Sequence, residues 1–146
     1  MQFASALSLQ GNEFQTKAMT RKAINTDNAP AAIGPYSQAV IHGDTVYISG
    51  QIPLDPASGT VLEGDIRTLA RRVLDNLAAV AEAAGTDLSR ALKITVFLTD
   101  MDNFAAVNEV FEEYLQPPYP ARAAVEVSGL PKGVAVEMDA VIARAD

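Results

Sequence analysis

From Asp65 to Gly85 the chain reads DIRTLARRVLDNLAAVAEAAG, with Ile66, Leu69, Ala70, Val73, Leu77, Val80, Ala81 and Ala84 at three- and four-residue intervals. That spacing predicts a helix with one apolar and one polar face. Asp65 is placed to cap its free N–H groups and Gly85 to end it. Arg67, Arg71 and Arg72 are interspersed with Asp65, Asp75 and Glu82, so they read as a solvated helix face. The apolar stripe needs a partner layer, and the segments on either side supply strands for one.

RKAIN is a short candidate strand. YSQAVIHG and TVYISG flank a Gly43-Asp44 turn and read as a hairpin, with His42 a solvated histidine at the turn. PLDPASGT is a loop, and ALKITVFLTD is a strand. DNFAAVNEVFEEYL reads as a second helix, capped by Asp102, with Phe104, Val107, Phe111 and Tyr114 or Leu115 turned to the core. Pro117, Pro118 and Pro120 end it. PARAAVEVSGLPKGVAVEMDA, residues 120–140, reads as a closing hairpin of small apolar residues. The order β-β-β-α-β-α-β-β predicts an α+β sandwich: one mostly antiparallel sheet with two helices on one face. Residues 21–146 form a single domain on this reading. Residues 1–20 are a leader or extension, with Met19 as a candidate native start.

Several function classes drop out. The chain has 146 residues and no cysteine, so disulfides, thiolate metal sites and cysteine nucleophiles are excluded. His42 is its one histidine and cannot build a multi-histidine metal site. Absence of cysteine fits a reducing compartment, and a cytoplasmic location is the expectation. No apolar run reaches the ~18 residues of a membrane span. A net charge of −7 disfavours broad nucleic-acid binding, which needs clustered Lys and Arg. One well-placed arginine can still hold a small anion.

The second sheet face is expected to lack helices. Along the last strand, Val134, Val136, Met138 and Ile142 form one face, and Ala135, Val141 and Ala143 lie on the other beside Glu137 and Asp139. Both faces are largely apolar, which points to burial of the second face by other subunits. Arg122 and Glu137 then admit two readings. One is a salt bridge joining strands or subunits. The other is a pocket at a subunit boundary, where Arg122 forks onto a carboxylate, Glu137 activates a water, and the small Ala121, Ala123 and Ala124 leave room. In an antiparallel pair, opposed positions sum to a constant. Arg122 and Glu137 sum to an odd number, so sharing a pocket through the hairpin requires an odd register or a bulge.

PARAAVEVSGLPKGVAVEM resembles the signature of the YjgF/RidA family, the reactive intermediate deaminases. NAPAAIGPYSQAV, YISGQIPLDPASG and DMDNFAAVNEVF match its other blocks in the same order, so the resemblance covers roughly residues 21–144. It implies a chorismate-mutase-like α+β fold and a homotrimer with pockets at its subunit interfaces. It also implies hydrolysis of 2-imino acids, tautomers of 2-aminoacrylate and 2-aminocrotonate, to 2-oxo acids and ammonia, with no metal or cofactor. Arg122 matches the carboxylate-binding arginine and Glu137 the glutamate that positions water. Tyr36, Ser49, Gly50 and Asn108 match substrate-contacting positions.

Two departures bear on activity. Ala124 stands where many relatives carry a cysteine, so a thiol cannot be required here, although the backbone carbonyl remains. The loop QPPYPAR is short relative to some bacterial members, which bears on pocket width. The alternative reading is a non-enzymatic trimer that senses small carboxylates. A ribonuclease or translation inhibitor, a role attached to some relatives, ranks last on the acidic composition.

Overall fold

The structure is a computed structural model and describes residues 20–145. Apart from Thr20, the expected leader lies outside the described residues. Six strands run Arg21–Ile24 (β1), Ala39–His42 (β2), Thr45–Gln51 (β3), Ala91–Leu98 (β4), Ala121–Glu126 (β5) and Val136–Ala143 (β6). Helix α1 spans Ile66–Ala83 and helix α2 spans Phe104–Tyr114. The strands form one sheet in the order β1-β2-β3-β6-β4-β5. Every pairing is antiparallel except β4 with β5. Element order, the mostly antiparallel sheet and the α+β class are those expected from the sequence.

The closing hairpin is not formed. β5 and β6 do not pair, because β4 lies between them. The reason is the crossover that precedes β5. Chain leaving β4 passes through α2 and returns parallel to β4, which is what a helical crossover permits. That places β5 on the outer edge of β4. β6 then runs back antiparallel between β3 and β4, with hydrogen-bonding neighbours on both sides. A central position suits a strand apolar on both faces, and an edge suits one that opens on Pro120 and carries Arg122.

The two sheet faces differ sharply. Val46, Ile48, Ile94, Val96, Leu98, Val136, Met138, Ala140 and Ile142 are buried in one core with Val73, Leu74, Leu77 and Val80 of α1 and Val107, Val110 and Phe111 of α2. Each such large side chain contributes roughly 1.5–3 kcal/mol when withdrawn from water. The opposite face carries Tyr47, Phe97, Ala123, Val125, Glu137, Asp139 and Val141, none of them buried. An uncovered face is therefore present, as the final strand's pattern indicated.

Local signals are read in part. Asp65 accepts from the Thr68 N–H at 2.9 Å, and Gly85 follows α1 at φ 79°. Gly43 takes φ 60° at the first position of the two-residue turn joining β2 and β3, a place that suits glycine. Asp102 does not cap α2. Asp100 instead accepts from the Asp102 N–H and starts a 3₁₀ turn, Met101–Asn103, that leads into the helix. Arg67 and Arg71 are half-exposed but not merely solvated: each reaches across to α2, pairing with Glu109 and Glu113 at 2.8 Å.

Candidate functional site

The first cluster is built on a fault in the sheet. β3 and β6 stay in register from Thr45–Ala143 to Ile48–Ala140, then slip by one at Gln51–Met138. Ser49 and Gly50 form the resulting β-bulge, a device that re-aims side chains. The Ser49 hydroxyl donates to the Ser37 carbonyl at 2.5 Å and its N–H to the Gln38 carbonyl at 2.9 Å, tying the bulge to the loop before β2. Gln38, buried, holds that loop in shape. Its Oε1 accepts from the Thr26 N–H at 2.7 Å, and its Nε2 donates to the Pro30 carbonyl at 2.8 Å. Tyr36 is thereby set beside the bulge.

Glu137 projects from β6 over Gly50. A Cβ at position 50 would lie 3.0 Å from the Glu137 carboxyl carbon and 3.2 Å from Oε2. Glycine leaves the carboxylate uncrowded there, and any side chain would press on it. Tyr36, Ser49, Gly50 and Glu137 line one open cavity of about 360 Å³ together with Gln38, Ile52 and Pro131. Burial pushes the Glu137 carboxyl above its ordinary value, and the nearby Asp139 charge adds to the rise. A carboxylate held towards neutrality is a better proton acceptor when ionised.

The second cluster lies on the other side of the sheet. β5 pairs with β4 so that Arg122 stands beside Ile94, a core residue of the helix-covered face. Its side chain runs along α2. The Arg122 Nη1 donates to Asn108 Oδ1 at 2.5 Å, and the guanidinium carbon lies 5.1 Å from the Phe104 ring centre and 5.2 Å from that of Phe111. Arg122 and Asn108 line a cavity of about 350 Å³ with Phe111, Glu112, Tyr119 and Pro120. Ala124 shares the strand face of Arg122 but packs against the core and lines neither cavity.

The sequence-predicted residues thus fall into two half-sites. One chain brings Tyr36, Ser49, Gly50 and Glu137 together, and separately Arg122 with Asn108. It does not bring Arg122 to Glu137. The shared pocket through the hairpin is overturned, because the register runs through β4: Arg122 beside Ile94, Glu137 beside Phe97. Three positions along β4 reverse the face. The salt-bridge reading within one chain is overturned as well. The ion pairs among the described residues are Arg67–Glu109 and Arg71–Glu113, and Arg122 is in neither. Gln38 went unremarked in the sequence, though a glutamine entering an otherwise apolar strand was its signal. Phe104 and Phe111, expected in the core, also flank the Arg122 guanidinium. Among the described residues, no group of three or more His, Asp or Glu side chains could hold a metal ion. No described helix is long and apolar enough to cross a membrane.

The family model described as Endoribonuclease L-PSP matches residues 26–144. The chain belongs to the YjgF/RidA family. Among its relatives in that family, the 2-iminobutanoate/2-iminopropanoate deaminase of Bos taurus is 48% identical over 124 residues, spanning 85% of this chain and 90% of the relative. The crystal structure of RidA from the Antarctic bacterium Psychrobacter sp. PAMC 21119 superposes with a TM-score of 0.81 at 50% identity, covering 84% of this chain and 98% of the other. E. coli TdcF with bound serine superposes at 0.78 with 43% identity, covering 85% and 99%.

Proposed function

We propose that this protein hydrolyses small 2-imino acids to 2-oxo acids and ammonia, in sites assembled between copies of the chain in a homotrimer. The observation that carries the reading is the split site: a fork-shaped cation with no protein carboxylate on it, and an activated carboxylate on the opposite sheet face. Neither half can do the chemistry alone. The uncovered face carries Glu137 and Arg122 stands on the edge strand β5, so a neighbouring copy seated on that face would bring its own Arg122 edge to Glu137. The deaminase relative at 48% identity supports the choice of reaction.

In this mechanism Arg122 takes the substrate carboxylate and fixes C2 near Glu137 of a second copy. A water between them donates a proton to Glu137 as its oxygen bonds to C2 and the C=N π electrons move to nitrogen. Glu137 passes the proton to nitrogen, giving a tetrahedral carbinolamine. The same carboxylate then takes the hydroxyl proton and hands it to the amine nitrogen, C=O forms, and the C–N bond breaks to release ammonia. Water and imine are consumed; oxo acid and ammonia balance them. Imines are electrophilic already, so orientation and base assistance of about 10²–10⁴-fold suffice. Tyr36, Ser49 and the Gly50 backbone bound the water side of the site.

Binding without turnover is the second reading, favoured by the relative that holds serine. The test is to generate 2-aminoacrylate with a pyridoxal-phosphate dehydratase and follow oxo-acid release with and without this protein. Acceleration supports hydrolysis. Unchanged release, with carboxylate binding seen by calorimetry, supports the sensor and ends the enzymatic reading.

A further inference from the structure

We infer that Phe104 and Phe111 are positioning residues that hold the Arg122 guanidinium in one plane, so that a single edge of it is presented to a ligand. The inference rests on the reading of Arg122 as the carboxylate fork, and adds to it the device that aims the fork.

The geometry begins in the helix period. Phe104, Asn108 and Phe111 stand at i, i+4 and i+7 on α2, hence on one face. Two turns separate the two Cα atoms along the axis, a rise of roughly 10.5 Å at 1.5 Å per residue. The guanidinium carbon of Arg122 lies 5.1 Å from one ring centre and 5.2 Å from the other, nearly equidistant from both. Asn108 lies between the rings in sequence and accepts from Nη1 at 2.5 Å. Arg122 is therefore gripped by three side chains of one helix face. Electron-rich ring faces attract the cation, and the amide oxygen takes one nitrogen. A guanidinium has five N–H donors in a rigid fork, so the contact with Asn108 still leaves donors for a carboxylate.

Core packing also accounts for part of this face, since Phe111 is buried and Phe104 partly so. The two roles separate by chemistry. Packing depends on apolar volume, which leucine largely keeps; the grip depends on the aromatic face, which leucine lacks and tyrosine keeps.

The experiment uses the full chain labelled with ¹⁵N. In the free protein, the Arg122 side-chain signals should be displaced by ring currents and slow in rotation compared with the other arginines. Phe104→Leu should return them towards ordinary values and lower kcat/KM for imine hydrolysis about two- to fivefold, the scale of one exposed cation–π contact. Phe104→Tyr should keep both near those of the unsubstituted protein. Phe111→Leu should act in the same direction. If its burial makes that variant unfold, the half-buried Phe104 pair carries the test. Undisplaced Arg122 signals in the unsubstituted protein overturn the grip, as does a Tyr variant that behaves like the Leu variant. Displaced signals without any turnover keep the grip and sink the proposed reaction, so the two failures are distinct.

Discussion

Arg122 and Glu137 lie on opposite faces of one sheet, separated by a single strand, with Arg122 registered on Ile94 and Glu137 on Phe97 of β4. Both side chains border cavities and are free of each other, and Arg122 is held locally by Asn108. If Arg122 serves a ligand and not a protein carboxylate, its removal should spare the fold. Arg122→Ala is expected to unfold within about 1 kcal/mol of the unsubstituted protein, since no buried charge is left unpaired. Two charge-assisted hydrogen bonds at roughly 1.5–3 kcal/mol each put the loss of kcat/KM at about 10²–10⁴-fold. Denaturant unfolding and turnover on one preparation check both numbers.

Gly50 gives a sharper steric expectation. A methyl group there would sit 3.0 Å from the Glu137 carboxyl carbon, tighter than ordinary van der Waals contact. The carboxylate must give by a few tenths of an ångström, and since about 1 Å of misplacement in a reacting group costs on the order of 10²-fold, that shift costs roughly three- to tenfold. Gly50→Ala is expected to lose that much turnover while retaining its circular-dichroism spectrum. Full activity in the alanine variant would mean that the carboxylate position is not critical.

Glu137 should also leave a pH signature. Burial raises its carboxyl above the ordinary value of 4.5, so the folded state favours the protonated form. Its favourable contribution is fully present below the unfolded value and lost as pH rises through the folded one. Glu137→Gln stays neutral throughout. It should therefore unfold at a higher temperature than the unsubstituted protein near pH 7, and the gap should close as pH falls below 4.5. Turnover of the unsubstituted protein should decline on acidification with a midpoint above 4.5, because the proposed base must be ionised. Unfolding curves and rate profiles across that range decide both points.

Much of this was legible in the chain. The period through Val73, Leu77 and Val80 and the cap at Asp65 located α1, and Val136, Met138 and Ile142 located the core side of β6. Strand order was not legible. The segments around Arg122 and Glu137 are adjacent in sequence and similar in composition, so a hairpin was the natural reading. What overrides it is the crossover through α2, a tertiary effect without a local signature. The same limit applies to the bulge at Ser49 and Gly50, where the sequence marks a glycine but not the carboxylate above it. It applies to Asp102 too, because Asp100 begins a turn one step earlier and takes over the cap.

The central claim is that a working site needs Arg122 from one copy and Glu137 from another. Arg122→Ala and Glu137→Gln proteins, each inactive alone, should be unfolded together, refolded as a mixture and assayed for imine hydrolysis. Light scattering on the same sample should report a trimer. Random assembly of equal amounts leaves roughly a quarter of the boundaries with both groups intact, so about that fraction of activity should return. A refolded, mixed trimer that stays inactive would contradict the account, because a site contained in one chain cannot be rescued by a neighbour.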